Sequence, residues 1–259
     1  MNESPSNFKT LSFVFILCFT AALILSVLAS ALKVPQEEAM ETFRSKQLLI
    51  AAHLLDFDTA ASSKEILSTY QTEITPMLVT EEGDLLSFEA TGLDLETYLK
   101  SHAKQGYARL KYKLIYLIKQ GGYVIPVNGY GLWDAIYGYL GIDKNGDTVI
   151  GISWYDQKET PGLGGEIANP DWEKQFYGKV IFQKNGDGTT NYARAPLGIQ
   201  VVKGTVAEML GSSPAADSAV DGISGATITV TGVNAAIKNS LAPYRKFLMK
   251  APLSEKTSP

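Results

Sequence analysis

The heptapeptide Asp221-Gly222-Ile223-Ser224-Gly225-Ala226-Thr227, continued by Ile228-Thr229, puts a hydroxyl nucleophile after a turn of small residues. Gly225 and Ala226 leave room for a bulky group to approach the backbone, and the first N–H groups of a following helix-like segment are suited to phosphate charge. The same residues also fit an ordinary tight turn that caps a helix. A second block, Thr160-Pro161-Gly162-Leu163-Gly164-Gly165, joins Pro-Gly to Gly-Gly and on composition alone reads as a strand-to-loop turn. The third is Gly129-Tyr130-Gly131-Leu132-Trp133, where Trp133, with Tyr137 and Tyr139 beyond it, reads as core packing.

The flanking segments must position these blocks. Strand patterns run over Tyr112–Lys119, Tyr123–Val127, Gly138–Ile142 and Thr148–Tyr155. Gly121-Gly122 offers a hairpin turn, and Asn145-Gly146 within Lys144–Asp147 suits a turn that needs positive φ. Lys179–Gln183 and Ile199–Lys203 add two expected strands. Pro170–Gln175 predicts a short helix with Asn169 or Pro170 near its start. Thr231 reads as an N-cap, with Val233, Ile237, Leu241 and Tyr244 at helical spacing behind it, and Pro243 kinks or ends that helix. In residues 59–111 there are helical patches around Ser62–Tyr70 and Asp94–Lys104, and no placed fold. The sum is an α+β class, one domain with a mainly antiparallel sheet and helices on one face.

At the front, Thr10–Leu32 carries no charge and is bracketed by Lys9 and Lys33. At about 1.5 Å per residue it spans about 30 Å or somewhat more, enough to cross a bilayer core. Ala29-Ser30-Ala31 resembles a signal-peptidase site. The apolar run exceeds the usual core of an export signal, roughly 7–15 residues, so length favours a retained anchor. Cys18 is a poor lipid-attachment site, because bulky Ile16 and Leu17 precede it. Charge gives only a weak bias toward a cytoplasmic N-terminus, with Lys9 and Glu3 before the run and Lys33, Glu37, Glu38 and Glu41 after it. Pro35 predicts a break. Gln36–Leu55 then reads as a helix with Met40, Phe43, Gln47, Leu48, Ala51 and Leu55 near one face, lifting the domain off the membrane. The expected divisions are an anchor over 1–33, a juxtamembrane helix over 34–58, a domain over 59–253 and a disordered tail over 254–259.

The chain carries 23 Lys plus Arg against 27 Asp plus Glu, a net charge of −4, which argues against a nucleic-acid partner. Its single cysteine lies in the apolar run and excludes an intrachain disulfide, a Cys-ligated iron–sulfur cluster and a dithiol redox site. His53 and His102 stand far apart in sequence and read as ordinary residues rather than metal ligands. Any redox role must come from a bound cofactor.

Asp221–Thr227 resembles the site at which a flavin transferase attaches FMN, through a phosphoester, to the final threonine. Two further blocks extend the likeness: Gly129–Gly138, and Glu159-Thr160-Pro161-Gly162-Leu163-Gly164-Gly165-Glu166-Ile167 with Asn169-Pro170-Asp171-Trp172 behind it. Together, over about Tyr123–Thr229 and with a similar anchor in front, they resemble the family of C subunits of sodium-translocating NADH:quinone oxidoreductases. The resemblance implies covalent FMN on Thr227, with Ser224, Gly225 and Ala226 shaping the backbone around the phosphate. It also implies Thr160, Leu163 and Gly164 as cofactor-binding residues, the rigid proline and flexible glycines of their block holding Leu163 and backbone amides against the isoalloxazine ring. Lys203 would face the phosphate, although a solvated lysine is the commoner outcome. Asp221 is assigned to recognition by the flavin transferase or, equally, to forming the turn. No catalytic residue and no metal are implied.

The family likeness further implies that the flavin relays single electrons from NADH toward quinone in a sodium-pumping membrane complex, whose other subunits are the partners. It places the N-terminus in the cytoplasm, one pass through a bacterial inner membrane, and the FMN-binding domain in the periplasm. The chain has no Gly-x-Gly-x-x-Gly element for NADH and no charged residue in its lone apolar helix, so the isolated chain is expected to be inactive. Attachment would keep the flavin with its complex. Its potential would follow from neighbouring charges and hydrogen bonds, at about 59 mV for about 1.4 kcal/mol. The G subunit of Rnf-type ferredoxin:NAD oxidoreductases shares the Ser-Gly-Ala-Thr and Glu-Thr-Pro-Gly-Leu-Gly blocks; the Gly-Leu-Trp block favours the quinone reductase. A membrane-anchored flavin-binding module without enzymatic partners is the remaining alternative.

Overall fold

The computed structural model describes residues 7–254 and divides into two compact units, Met1–Phe43 and Arg44–Pro259. Helix α1 (Asn7–Ala51) runs through Pro35 without the expected break. A proline forfeits one backbone bond to the carbonyl four residues earlier, and the turns on either side carry the helix past it. In the first unit its apolar side chains, among them Phe13, Ile16, Leu23 and Leu28, are exposed. Among the described residues it is the one helix long and apolar enough to cross a membrane.

In the second unit the last turn of α1 is a core element, not the spacer expected for Gln36–Leu55: Leu48, Leu49, Ile50, Ala51 and Ala52 are all buried. The helix ends where His53 takes a left-handed conformation, φ 56°. The His53 N–H donates to Ile50 and the Leu54 N–H to Leu49, both at 2.9 Å, which satisfies two terminal carbonyls.

Then follow α2 (Ser63–Glu73), β1 (Ile74–Val79), β2 (Leu85–Leu86), α3 (Phe88–Thr91) and α4 (Leu95–His102). Ser62 and Glu65 form a reciprocal capping box on α2, and Asp94 caps α4. The central strands are β3 (Lys113–Ile118), β4 (Tyr123–Tyr130), β5 (Ala135–Ile142) and β6 (Val149–Asp156). The rest comprises α5 (Pro170–Glu173), β7 (Gln200–Val201), α6 (Val206–Met209), β8 (Ala219–Val220), α7 (Thr227–Leu241) and α8 (Arg245–Ser254), with short 3-10 turns between.

The fold is α+β. An antiparallel sheet is ordered β2-β1-β3-β4-β5-β6, and a two-residue parallel pair joins β7 to β8. Alternation along β3 sends Ile115 and Leu117 to one core and Leu114, Tyr116 and Ile118 to the other. Helices therefore cover both faces rather than one. Helix α7 packs along β4, where Ser240 Oγ accepts the Asn128 N–H at 3.1 Å. The opposite face is closed by the end of α1 with Ile66 and Tyr98. Each fully buried Leu, Ile or Val contributes about 1.5–3 kcal/mol against solvent.

Three expectations fail locally. Lys179–Gln183 makes only isolated bridges, because its N–H groups donate to Asp147, Asp217 and Pro196 in three separate segments. Ile199–Lys203 shortens to β7, whose Val201 is clasped on both backbone groups by the Asn234 side chain. Thr231 is not an N-cap; α7 begins four residues earlier, and the Thr231 hydroxyl donates to the Thr227 carbonyl at 2.8 Å. Of the expected tail, Ser254 is the last residue of α8, and 255–259 lie outside the described residues.

Candidate functional site

Thr227 is the first residue of α7, and Ala226 before it makes no side-chain cap. The first N–H groups of a 15-residue helix thus lack the usual side-chain oxygen and mark the positive end of its dipole. Three threonines share the opening turns. The Thr229 hydroxyl donates to Glu159 Oε2 at 2.5 Å and the residue is 2% exposed; Thr231 is bonded back into the helix; Thr227 is exposed. Ile228 beside it is 59% exposed.

The preceding heptapeptide is a braced loop. The Asp221 carboxylate accepts the Val206 N–H (2.6 Å) at the start of α6, its carbonyl accepts Trp172 Nε1 (2.9 Å), and its N–H donates to Gln175 Oε1 (2.9 Å). Gly222 donates to the Gly204 carbonyl at 2.8 Å, which sets exposed Lys203 alongside. Ser224 and Gly225 are exposed and Ala226 is buried, its N–H donating to Ile223 at 3.2 Å. Gly225 has φ +75°, and a Cβ there would stand 2.8 Å from Leu163 Cδ2, so Leu163 occupies the space that the glycine leaves open.

Leu163 brings the second block onto the first. Its N–H, and that of Gly165, donate to the Thr160 carbonyl, and the Thr160 hydroxyl accepts Trp133 Nε1 at 3.1 Å. Trp133 is 68% exposed, contrary to the core placement expected for it. Its loop turns it outward because the Leu132 and Trp133 N–H groups are both taken by Glu159 underneath. Tyr139 does lie in the core, stacked on Tyr155 at 4.7 Å, and Tyr137 is half-buried with its hydroxyl donating to the Lys104 carbonyl.

Glu159 carried no role in the sequence reading, yet it joins all three blocks. The residue is 5% exposed, and its carboxylate accepts Thr229 Oγ1 and the N–H groups of Trp133 (2.9 Å) and Leu132 (3.0 Å). Gly131 and Gly164 make way for it: a Cβ would stand 2.4 Å from Oε1 at the first and 2.9 Å from Oε2 at the second. Burial pushes the carboxyl up, but the bonds from Thr229, Trp133 and Leu132 outweigh it and hold the group below the ordinary glutamate value. The sequence signal was available, since a carboxylate flanked by glycine-rich turns in two blocks has a ready-made socket.

These residues fit a phosphorylated planar cofactor. The uncapped start of α7 suits a phosphate, and Gly225, Leu163, Ile228 and Trp133 supply an open, apolar surface beside it.

A family model described as an FMN-binding domain matches residues 131–242. The chain is 35% identical to the C subunit of Na(+)-translocating NADH-quinone reductase from Chlamydia caviae, over 92% of this chain and 90% of that one. It is 33% identical to the corresponding C subunit of Yersinia pestis, over 92% and 91%. The crystal structure of the C subunit from Parabacteroides distasonis superposes with a TM-score of 0.61 at 30% identity, covering 84% of this chain and 96% of that one.

Proposed function

The chain belongs to the family of Na(+)-translocating NADH-quinone reductase C subunits, and from that premise we propose that it is the membrane-anchored flavin carrier of such a complex, with FMN esterified to Thr227. The observation that carries this reading is the division of labour among Thr227, Thr229 and Thr231. The second and third hydroxyls are engaged within the fold, whereas Thr227 is exposed at the uncapped positive end of α7. Attachment is a substitution at phosphorus: the Thr227 oxygen bonds the FMN phosphorus of a flavin dinucleotide donor, and the donor's phosphoanhydride bond breaks. The nucleotide leaves with the hydroxyl proton, and the threonine oxygen becomes the bridging atom of the phosphoester. Helix ends favour such charge by roughly 0.3–1 kcal/mol at exposed positions. Ser224, Gly225 and Ala226 shape the approach, Leu163 and Gly164 with Thr160 border the ring, and Lys203 adds positive charge near the phosphate. Asp221 braces the loop and presents it to a flavin transferase.

The bound FMN supplies one-electron chemistry; the residues around it bind, orient and partly shield it. NADH oxidation, quinone reduction and sodium passage belong to partner subunits, and the isolated chain is inactive. In this reading α1 spans a bacterial inner membrane with its N-terminus cytoplasmic and the flavin domain periplasmic. Co-expression with a flavin transferase, followed by a denaturing gel under ultraviolet light, tests the attachment. A fluorescent wild-type band that vanishes in Thr227→Ala is expected; a dark wild-type band contradicts the reading.

A further inference from the structure

Building on the attachment of flavin at Thr227, we propose that Glu159 is a positioning residue that locks the Trp133 loop to the first turn of α7 and, through its fixed charge, opposes electron uptake by the attached flavin. Its two oxygens engage one hydroxyl of α7 and two consecutive N–H groups of the β4–β5 loop. Its neighbour Thr160 takes the indole of the same loop, and Leu163 then reaches Gly225. One side chain thereby aligns two loops and the first turn of a helix that are separate in sequence. Removing it would leave three donors without their acceptor, the buried Thr229 hydroxyl among them.

The charge follows from the same bonds. Three donors keep the carboxylate ionised despite its burial. The carboxylate belongs to a residue that is 5% exposed at the rim of the site, where solvent screens it only in part, and it lies against Thr229, two residues along the helix from the attachment oxygen. Electron uptake adds negative charge to the flavin, so the carboxylate disfavours it, in opposition to the positive end of α7.

The test uses the full-length chain in detergent, co-expressed with a flavin transferase. Loading is followed by intact mass, and the potential is read by spectroelectrochemical titration on whatever fraction is loaded. Glu159→Gln keeps the side-chain shape without the charge. Its flavin is expected to favour the reduced form on the order of tenfold more than wild type, about 59 mV for one electron. Glu159→Ala, which loses the lock, is expected to load on the order of tenfold more slowly, as misplaced reacting groups do. Should that variant not fold, Thr229→Val removes the tie but keeps the charge, and is expected to slow loading without the upward shift in potential. An unshifted potential in Glu159→Gln, or wild-type loading in Thr229→Val and, where it folds, in Glu159→Ala, overturns the proposal. An unloaded wild-type chain instead contradicts the Thr227 assignment on which it rests.

Discussion

Glu159 and Glu173 are two buried carboxyls, 5% and 2% exposed, that end in opposite charge states. Burial pushes both up. At Glu159 three donors reverse the effect, and the group stays ionised where three loops meet at the surface. Glu173 has the Trp154 N–H, at 2.6 Å, and is pushed up to about 8 in the core beneath β6. Donor number and depth together decide the charge, three donors near the surface at Glu159 against one in the core at Glu173. The ionised carboxyl organises the candidate flavin site. The neutral one sits in α5, which together with the 3-10 turn behind it steadies that site through Trp172 and Gln175 on Asp221.

The contrast has opposite signatures in pH. Glu173 is protonated in the folded chain and ionised in the unfolded chain above its ordinary value, so the folded state binds the extra proton. Stability should therefore fall as pH rises from about 4.5 to about 8 and then level, by a few kcal/mol in order of magnitude. Thermal unfolding of wild type and Glu173→Gln at about pH 5 and about pH 8.5 checks this: the variant should lack that slope, and parallel behaviour would erase the contrast.

Glu159 has the reverse sign. Its contribution is present above the ordinary glutamate value and is lost as pH falls through its lowered one. Glu159→Gln should cost about 2 kcal/mol at about pH 7, the scale of hydrogen bonds to a charged group, with the gap closing in acid. Denaturant titrations at neutral and acid pH would show it; a gap independent of pH would mean that the charge is not involved.

Filling the socket sharpens the comparison by geometry alone. In Gly131→Ala the new methyl must displace the Glu159 carboxylate. A loss of about 1–2 kcal/mol is expected, together with a change in Trp133 emission, since the indole hangs from the displaced loop. Smaller again is Asp221→Asn, which keeps an acceptor for Val206. Stability should stay within about 0.5 kcal/mol, while flavin loading falls several-fold because a transferase meets an amide in place of a carboxylate. Normal loading would leave Asp221 as a brace alone.

Much of this arrangement was legible in the sequence. The strands β3 to β6 and two of their three turns follow from apolar runs and Gly-Gly or Asn-Gly pairs, and a helix behind the heptapeptide was legible, although the N-cap expected at Thr231 put its start four residues late. β1 was hidden because Pro76 lies within it. The strand tolerates proline because β2 pairs only with Leu78 and Val79, leaving the Pro76 side unpaired. Pro35 misled in the other direction, being absorbed by a helix long enough to lose one bond. Trp133 turns outward against its expected core placement, and Glu159, for which nothing was expected, turns inward. Residue type alone favours the opposite, and only the donors gathered from distant loops reverse it.

The central claim is tested most directly by mapping the modified peptide of the chain purified from native membranes. Tandem mass spectrometry should place one FMN phosphoester on Thr227, with Thr229 and Thr231 unmodified. An unmodified 221–231 peptide, or flavin carried by either of the other two threonines, would contradict it.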